Sequence, residues 1–317
     1  MRLKNSILGL LLLLCVAVIF GLIKGAAQIP LANLLLKENQ AILSMRGLRV
    51  LTAILAGSGL AVSGIALQAI LRNPLAEPYL LGTSSGAGLG AVIALIIGVS
   101  RLYMPLAAFL GAILSIVLVY NLASEGNRIV DKSLILAGVI VSIAFSSIIV
   151  FLVSIYGNEA LHEVGWWLWG SLQVYDYRLV FLVGIPVVLG VITIYIFAQD
   201  LNAISMGEEE AMHLGIDTQN VKKMLILITA LITASLICIC GIIGFVGLIV
   251  PHMMRLLVGP NHKVLIPTTC LAASVFMVAC DVFSRTLFAP VEIPIGVITA
   301  IIGAPVFIIL LKRGRRF

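Results

Sequence analysis

Residues 224–254 read MLILITALITASLICICGIIGFVGLIVPHMM, a run of 31 residues that contains no Asp, Glu, Lys or Arg. As one helix with a rise of 1.5 Å per residue it would extend about 46 Å, whereas a bilayer core of about 30 Å is crossed by about 20 residues. Gly241, Gly244 and Gly247 interrupt the run. We therefore expect two membrane-spanning helices that meet at these glycines.

The composition of the whole chain also indicates a membrane protein. Of its 317 residues, 61% are hydrophobic and 11% are charged, against roughly 25% charged residues in a typical soluble domain. The mean hydropathy is +1.18. A soluble protein of this length needs polar side chains over most of its surface. The composition therefore excludes a soluble enzyme, a nucleic-acid-binding domain and a disordered chain.

Ten apolar stretches are expected to be membrane-spanning helices. They lie approximately at residues 5–27, 50–72, 78–100, 102–124, 133–157, 179–199, 222–240, 244–258, 264–285 and 293–311. The first resembles a secretory signal, but it is longer than a usual signal core and no convincing cleavage site follows it. We therefore expect an all-α, polytopic membrane protein in which residues 1–317 form a single transmembrane domain.

The distribution of basic residues predicts the orientation of the chain. An even number of spans places both termini on the same side of the membrane. With the termini in the cytoplasm, thirteen of the 20 Lys and Arg residues lie inside and seven outside, which agrees with the positive-inside rule. We therefore expect a multi-pass protein of the plasma membrane or inner membrane with both termini cytoplasmic.

The sequence lacks the features of an enzyme. It contains no G-x-x-x-x-G-K-[ST] loop for ATP, no set of residues that suggests hydrolysis at membrane depth, and no Cys and His spacing typical of a metal site. We expect no catalytic residues, no metal site and no cofactor. No expected span has a charged residue at its centre, which argues against an ion-coupled carrier. A stand-alone ion-coupled secondary transporter is nevertheless the alternative, because polar residues and backbone carbonyls can bind Na⁺.

Glycine and proline are concentrated in the second, third and tenth expected spans and at the junction of the seventh and eighth. Small residues let helices approach closely, and irregular backbone within a membrane occurs only inside a bundle or along a cavity. A glycine-rich bundle without an energy source of its own suggests the pore-forming part of a larger assembly.

Four stretches of the chain carry a family resemblance. They are AVSG at 61–64 with Gln68 and RNPLAEP at 72–78, LLGTSSG at 80–86, GIIGFVGLIVPH at 241–252 with Arg255, and EIPIG at 292–296 with TAIIGAP at 299–305. With these stretches the chain resembles the FecCD family, the permease subunits of ABC importers for iron-siderophores, haem and cobalamin. The family often has R-L-P-R before the second span. Here residues 46–49 read RGLR, in which both arginines remain but the proline is missing, so we expect a different local turn.

The resemblance implies an ABC importer permease fold, with an inverted repeat that relates spans two to five to spans seven to ten. It also implies the partners. These are a second permease subunit, expected to be identical, two ATP-binding-cassette ATPases on the cytoplasmic face, and an extracytoplasmic substrate-binding protein. Membrane lipid is a further expected partner, and nucleic acid is not. The cargo implied by the family is an iron chelate, haem or cobalamin.

Three arginines are candidate docking residues for the binding protein. Arg46, Arg49 and Arg285 lie outside in the predicted topology, and in the resembled family arginines at corresponding places meet acidic residues of the binding protein. Charged pairs of this kind steer association and set orientation. The alternative is that these arginines are solvated or bound to phospholipid. Asp281 precedes Arg285 by four residues, an order that favours an ion pair along a helix.

The translocation path is expected along spans two, three, five, eight and ten, which contain the glycine breaks or, in span five, several serines. The candidate path residues are Ser63, Gln68, Ser84, Ser85, Ser146 and Thr299. Ser and Thr hydroxyls can also bond back to their own helix, which is the alternative for these residues.

Residues 200–223 form the longest cytoplasmic loop, and the resembled family places its coupling helices in this loop. The candidate coupling residues are Ser205, Gly207, Glu208, Glu209, Met212, Leu214 and Gly215. Ser205 and Glu208 have the spacing of a capping box, which predicts a helix that begins at Ser205. Negative charge in the first turn suits the helix dipole.

The same loop contains signals for the end of that helix and the start of the next. Gly215 is well placed to end the first helix, and Asp217 or Thr218 to cap the helix that becomes span seven. A short, rigid helix-turn-helix can transmit a push from a moving partner. We therefore expect this loop to be the main contact with the ATPase.

Overall fold

The computed structural model describes residues 2–27, 29–34, 36–100, 102–126, 128–156, 165 and 167–314, and this part of the chain is a helical bundle. Its α-helices are α1 (Arg2–Ile23), α2 (Gln40–Ile70), α3 (Thr83–Ile96), α4 (Met104–Ala123), α5 (Asp131–Tyr156), α6 (Tyr177–Ile196), α7 (Ala198–Met206), α8 (Glu208–His213), α9 (Thr218–Cys240), α10 (Val246–Val258), α11 (His262–Thr286) and α12 (Ile295–Gly314). A short antiparallel hairpin, β1 (Ser124–Glu125) and β2 (Arg128–Ile129), precedes α5. Short 3₁₀ turns cover Leu31–Asn33, Lys37–Asn39 and Pro78–Leu81.

One helix lies in each of the ten expected spans. Among the described residues, seven helices are long and apolar enough to cross a membrane, namely α1, α2, α4, α5, α6, α9 and α11. The helices α3 and α10 are apolar but shorter, and α12 has a shorter apolar stretch at Ile295–Ile309. The all-α, polytopic fold class predicted from the sequence is therefore confirmed.

Helix α2 is the central helix of the bundle. It packs against α6, α9, α10 and α11, and most of its residues are buried. At Gly64 a Cβ atom would collide with the backbone carbonyl of Gly247 on α10, so only glycine lets the two helices approach this closely. The helix begins at Gln40 and not at residue 50, because two arginines in its first third are buried against partners and do not end it.

The long uncharged run is divided into two helices, as predicted. Helix α9 ends at Gly241, which has a φ of +67°, and α10 begins after Phe245, which has a φ of +70°. The Tyr79 hydroxyl donates to the carbonyl of Ile243 and accepts from its N–H, both at 3.0 Å. Irregular backbone inside a bundle is stable when other segments satisfy its polar groups in this way.

A carboxyl group also lies at this break. Glu77 precedes the 3₁₀ turn before α3, and its Oε1 accepts from the N–H of Phe245 at 3.4 Å. Burial raises the pKa of Glu77, and the bond from Phe245 opposes that shift. The loop between α2 and α3 is thus fastened to the α9–α10 junction.

Helix α1 lies at the edge of the bundle and packs mainly against α11. Its large apolar side chains, including Leu8, Leu12, Val16 and Ile19, are exposed. An apolar surface of this kind on a helix of spanning length faces lipid. The helix is consequently held by few side chains, which makes the contacts at its end important.

Candidate functional site

Two ionic clusters lie at opposite ends of the bundle, and they are named outer and inner after the orientation expected from the sequence. The outer cluster consists of Arg46, Arg49, Asp281, Arg285 and Glu292, and joins α1, α2, α11 and the segment before α12. The inner cluster consists of Arg72, Asp131, Glu208 and Lys222, and joins the loop after α2 to α5, α8 and α9.

In the outer cluster, Arg49 binds two carboxylates. Its Nε lies 2.5 Å from Oδ1 of Asp281, and its Nη1 lies 2.7 Å from Oε2 of Glu292. Arg285 reaches the other oxygen of Asp281 at 2.9 Å, which confirms the helical pair predicted from their spacing. Gln173 donates to Glu292 at 2.6 Å. Because Asp281 is fully buried, its charge requires these two cations.

Arg46 donates hydrogen bonds to backbone carbonyls at the end of α1. It donates to the carbonyls of Leu22, Ile23 and Ala27 at distances of 2.6–3.0 Å, and the first two are groups that a helix end leaves without partners. Arg285 adds a bond to the carbonyl of Gly21 at 2.9 Å. The two arginines therefore fasten α1 to the bundle.

The interpretation of Arg46, Arg49 and Arg285 as exposed docking residues requires correction. All three side chains are buried, and their donors are used inside the chain. The reason is that the end of α1 and the buried carboxylate on α11 both need cationic donors. The arginines line one side of an outer cavity of about 240 Å³ that also includes Gln173 and Tyr175.

The candidate path residues fall into two groups. Ser146 is exposed on α5, with Ser142 and Ser147 beside it in an open cavity of about 480 Å³, and Ser84 is half-buried. The other four, Ser63, Gln68, Ser85 and Thr299, are buried. The structure thus brings a row of serines together on one face of α5.

Two of the buried candidates form hydrogen bonds close to their own positions in the chain. Ser85 donates to the carbonyl of Gly82 and Thr299 to that of Gly296, both at 3.0 Å, so for these two the alternative of local bonding holds. The Ser63 hydroxyl has no hydrogen-bond partner among the described residues. An open path position is therefore not observed for these side chains, because α2 and its neighbours are closely packed.

Gln68 connects α2 to α10. Its Nε2 donates to the carbonyl of Gly247 at 3.2 Å, and its Oε1 accepts from Nη2 of Arg255 at 3.1 Å. Gln68 and Arg255 border an inner cavity of about 540 Å³ that is also lined by Arg72, Asn202 and His262. Gln68 is thus a packing contact beside the cavity rather than an exposed residue.

The predicted capping box at Ser205 is wrong. Ser205 lies inside α7, where its hydroxyl bonds back to the carbonyl of Leu201 at 2.6 Å. The N-cap of α8 is Gly207, and Glu208 and Glu209 occupy the first turn. The serine therefore continues one helix and does not begin the next.

The end of the loop has the predicted form. Gly215 has a φ of +81° and follows α8, and the Asp217 carboxylate caps α9 by accepting from the N–H of Asn220 at 3.1 Å. Met212 on α8 and Leu214 just after it are both exposed, and the exposed fraction of Leu214 is 70%. Exposed apolar side chains beside an acidic first turn are typical of a protein contact.

Lys222 is a site residue that the sequence analysis did not identify. Its Nζ lies 2.8 Å from Oδ1 of Asp131 and forms an ion pair with Glu208, and the side chain is 1% exposed. Arg72 lies 4.0 Å from the same aspartate. The feature of the sequence that could have identified Lys222 is a lysine placed at the start of an apolar span.

Within the described ranges, no group of three or more His, Cys, Asp or Glu residues could hold a metal ion.

Comparison with known proteins agrees with this architecture. Residues 10–313 match the FecCD transport family. The chain is 38% identical over 265 residues to the cobalamin import system permease protein BtuC of Halobacterium salinarum, covering 83% of this chain and 71% of that protein. It is 36% identical over 281 residues to the molybdate import system permease protein MolB of Haemophilus influenzae, covering 87% and 83%.

A solved structure described as an inward-facing conformation of a metal-chelate type ABC transporter has the same fold. It superposes with a TM-score of 0.88 at 33% identity and covers 98% of this chain and 99% of that one. The sequence match, the shared fold and the helix order agree with one another. The chain therefore belongs to the FecCD transport family, as a membrane-spanning permease subunit of an ABC importer and not as an enzyme.

Proposed function

We propose that two copies of this chain form the translocation path of an importer that takes up a bulky metal chelate, namely cobalamin, haem or an iron-siderophore. The observation that carries this proposal is the row of serines on the exposed face of α5. A path for a large, partly apolar cargo needs polar groups without a strong charge, because tight binding would slow release.

The chemistry of α5 supports a chelate over a small anion. From residue 133 to residue 156 the helix contains no charged residue, so its exposed serines offer hydroxyls and no cation. A small oxyanion such as molybdate, the cargo named for one similar protein, would be held best by cationic donors. Cobalamin is the cargo named for another similar protein.

A second copy of the chain is proposed to cover the exposed serine face. Beside the serines, α5 exposes Ile140, Ile143, Val150 and Phe151. A polar row flanked by apolar side chains suits a path that two identical subunits enclose. A homodimer also gives a symmetric, closed assembly.

On the cytoplasmic side, the segment α7–α8 is proposed to receive one ATPase per permease subunit. Its outer surface presents Met206, Met212 and Leu214 together with acidic residues of the first turn of α8. With this segment in the cytoplasm, both termini are cytoplasmic as well, which agrees with the distribution of basic residues. The membrane is the plasma membrane or the inner membrane of the cell.

The extracytoplasmic binding protein is proposed to dock around the outer cavity. Since Arg46, Arg49 and Arg285 are buried, their role is to hold the outer ends of α1, α2 and α11 in place. Exposed Tyr175 and Gln173 at the cavity are better placed to contact a partner.

The test is uptake by proteoliposomes. The chain is reconstituted alone, with its cognate ATPase and binding protein, and with a hydrolysis-deficient ATPase. Cyanocobalamin, haemin, ferrichrome and molybdate serve as probes. We expect uptake of one of the three chelates only with active ATPase and ATP. Uptake by the lone chain under an ion gradient would favour a secondary transporter and contradict the proposal, and uptake of molybdate alone would contradict the cargo class.

A further inference from the structure

Lys222 lies where three helices begin. It belongs to the second turn of α9, whereas Asp131 is the first residue of α5 and Glu208 the first residue of α8. One ammonium group, 1% exposed, binds both carboxylates. The start of the serine-bearing helix and the start of the proposed ATPase-contact helix are thus joined through a single side chain.

The charges of the inner cluster make this junction difficult to separate. A buried ammonium without its carboxylates carries a large desolvation penalty, so Lys222 must keep them close. One lysine facing two carboxylates leaves one negative charge in excess. Arg72, half-exposed and 4.0 Å from Asp131, offsets it from the loop after α2.

Other contacts join the same elements. Gln219, in the first turn of α9, accepts a hydrogen bond from the N–H of Ile129 at 3.0 Å, and Ile129 belongs to the strand that leads into α5. Ala203, Ile204 and Ala211 form a small buried core. Ile216 and Val221 pack against this core, which fixes α7 and α8 to the start of α9.

We propose that Lys222 is a positioning residue that transmits movement of α8 to α5. The inference rests on the proposed function, in which an ATPase acts on α8. A displacement of α8 carries Glu208 with it. Because the buried ammonium of Lys222 is stabilised by both carboxylates, Lys222 and then Asp131 follow that displacement. The base of α5, and with it the serine face, moves as a consequence.

The test measures two distances across the homodimer by pulsed electron paramagnetic resonance. In a background that lacks Cys15 and Cys270, one spin label is placed at His213 on α8 and, in a separate sample, at Ile148 on α5, both of which are exposed and neither of which is among the proposed contact residues. The permease is assembled with its ATPase, without nucleotide and after trapping with ATP and vanadate. Both inter-subunit distances are expected to change in the parent protein.

In Lys222→Met we expect the α8 distance to change as in the parent, with ATP hydrolysis retained, and the change in the α5 distance to be lost. A merely structural role would not separate the two distances in this way. Lys132→Met is the matched control, because Lys132 is exposed and adjacent to Asp131, and it should behave like the parent.

A second variant tests whether the loss at α5 could arise from misfolding around an unpaired buried charge. Lys222→Met combined with Asp131→Asn and Glu208→Gln leaves no buried charge uncompensated, because the remaining Arg72 is half-exposed, and should show the same loss at α5. A change at α5 of parental size in either variant would overturn the inference. If the parent itself neither traps vanadate nor changes either distance, the proposed function fails, and this inference with it.

Discussion

The outer and inner clusters both surround a buried basic side chain, yet they differ in the exposure of their carboxylates. In the outer cluster, Arg49 and Arg285 share Asp281, whose side chain is 0% exposed. In the inner cluster, the side chains of Asp131 and Glu208 are 21% and 29% exposed. Water can therefore solvate the inner carboxylates as they shift, whereas Asp281 has no such alternative. The outer cluster is thus the more rigid connection, and the inner cluster can shift while Lys222 keeps its ion pairs.

The largest effect on stability is expected from Asp281→Ala. The substitution leaves Arg49 and Arg285 buried without their shared counterion, which costs about 3–5 kcal/mol. Thermal unfolding in detergent should show a large decrease in midpoint temperature. Glu292→Gln is the control, because its side chain is 25% exposed and the amide keeps hydrogen-bonding capacity. Equal losses for the two variants would contradict a closed outer cluster.

A smaller and more local effect is expected from Arg46→Lys. The ammonium keeps the charge but cannot reproduce the planar fork that reaches the carbonyls of Leu22, Ile23 and Ala27. Losing one charge-assisted bond costs about 1.5–3 kcal/mol. Hydrogen exchange should accelerate at the end of α1 and remain unchanged in α5. Unchanged exchange at residues 20–27 would show that α1 is held by packing alone.

In the inner cluster, Glu208→Gln should destabilise the protein by less than Asp281→Ala, because the Glu208 side chain is 29% exposed and the amide keeps hydrogen-bonding capacity. Lys222 keeps Asp131 as a partner at 2.8 Å. Thermal unfolding and hydrogen exchange at residues 208–216 measure the effect, and Glu209→Gln, on an exposed side chain, is the matched control. A loss as large as that of Asp281→Ala would remove the difference between the clusters.

The smallest effect on stability is expected from Leu214→Asp. The side chain is 70% exposed, so the free energy of unfolding should change by no more than about 0.5 kcal/mol. The same substitution should prevent co-purification with the ATPase, since it places a charge in an apolar contact. An intact, transport-competent complex at the parental rate would show that the segment α7–α8 is not the contact.

The fold could be predicted from the sequence where one local signal decided it. The uncharged run at 224–254 was too long for one span and contained glycines, and it forms two helices. Asp281 and Arg285 pair because they are one helical turn apart, and Gly215 and Asp217 end and begin helices by local backbone geometry. Each of these features depends on residues within a few positions of one another.

The clusters could not be predicted because their partners are distant in the sequence. Arg49 and Asp281 are 232 residues apart, and Lys222 and Asp131 are 91 apart. Without knowledge of the packing, Arg46 and Arg49 read as external charges, although the helix continues through them. Ser205 has the capping-box spacing, but α7 extends to Met206 and uses its hydroxyl inside the helix. Tertiary contacts decided the arginines, whereas at Ser205 the preceding helix continued through the predicted cap.

The fastening of α1 has a consequence for biosynthesis. Arg46 follows the carbonyl of Leu22 by 24 residues, whereas Arg285 follows that of Gly21 by 264. At roughly 5–20 residues per second, the ribosome needs about 13–53 s to supply the second arginine. For most of that interval Arg49 also lacks Asp281. The nascent chain must therefore keep its first helices beside the translocon, or beside a chaperone of membrane insertion, until α11 has been made.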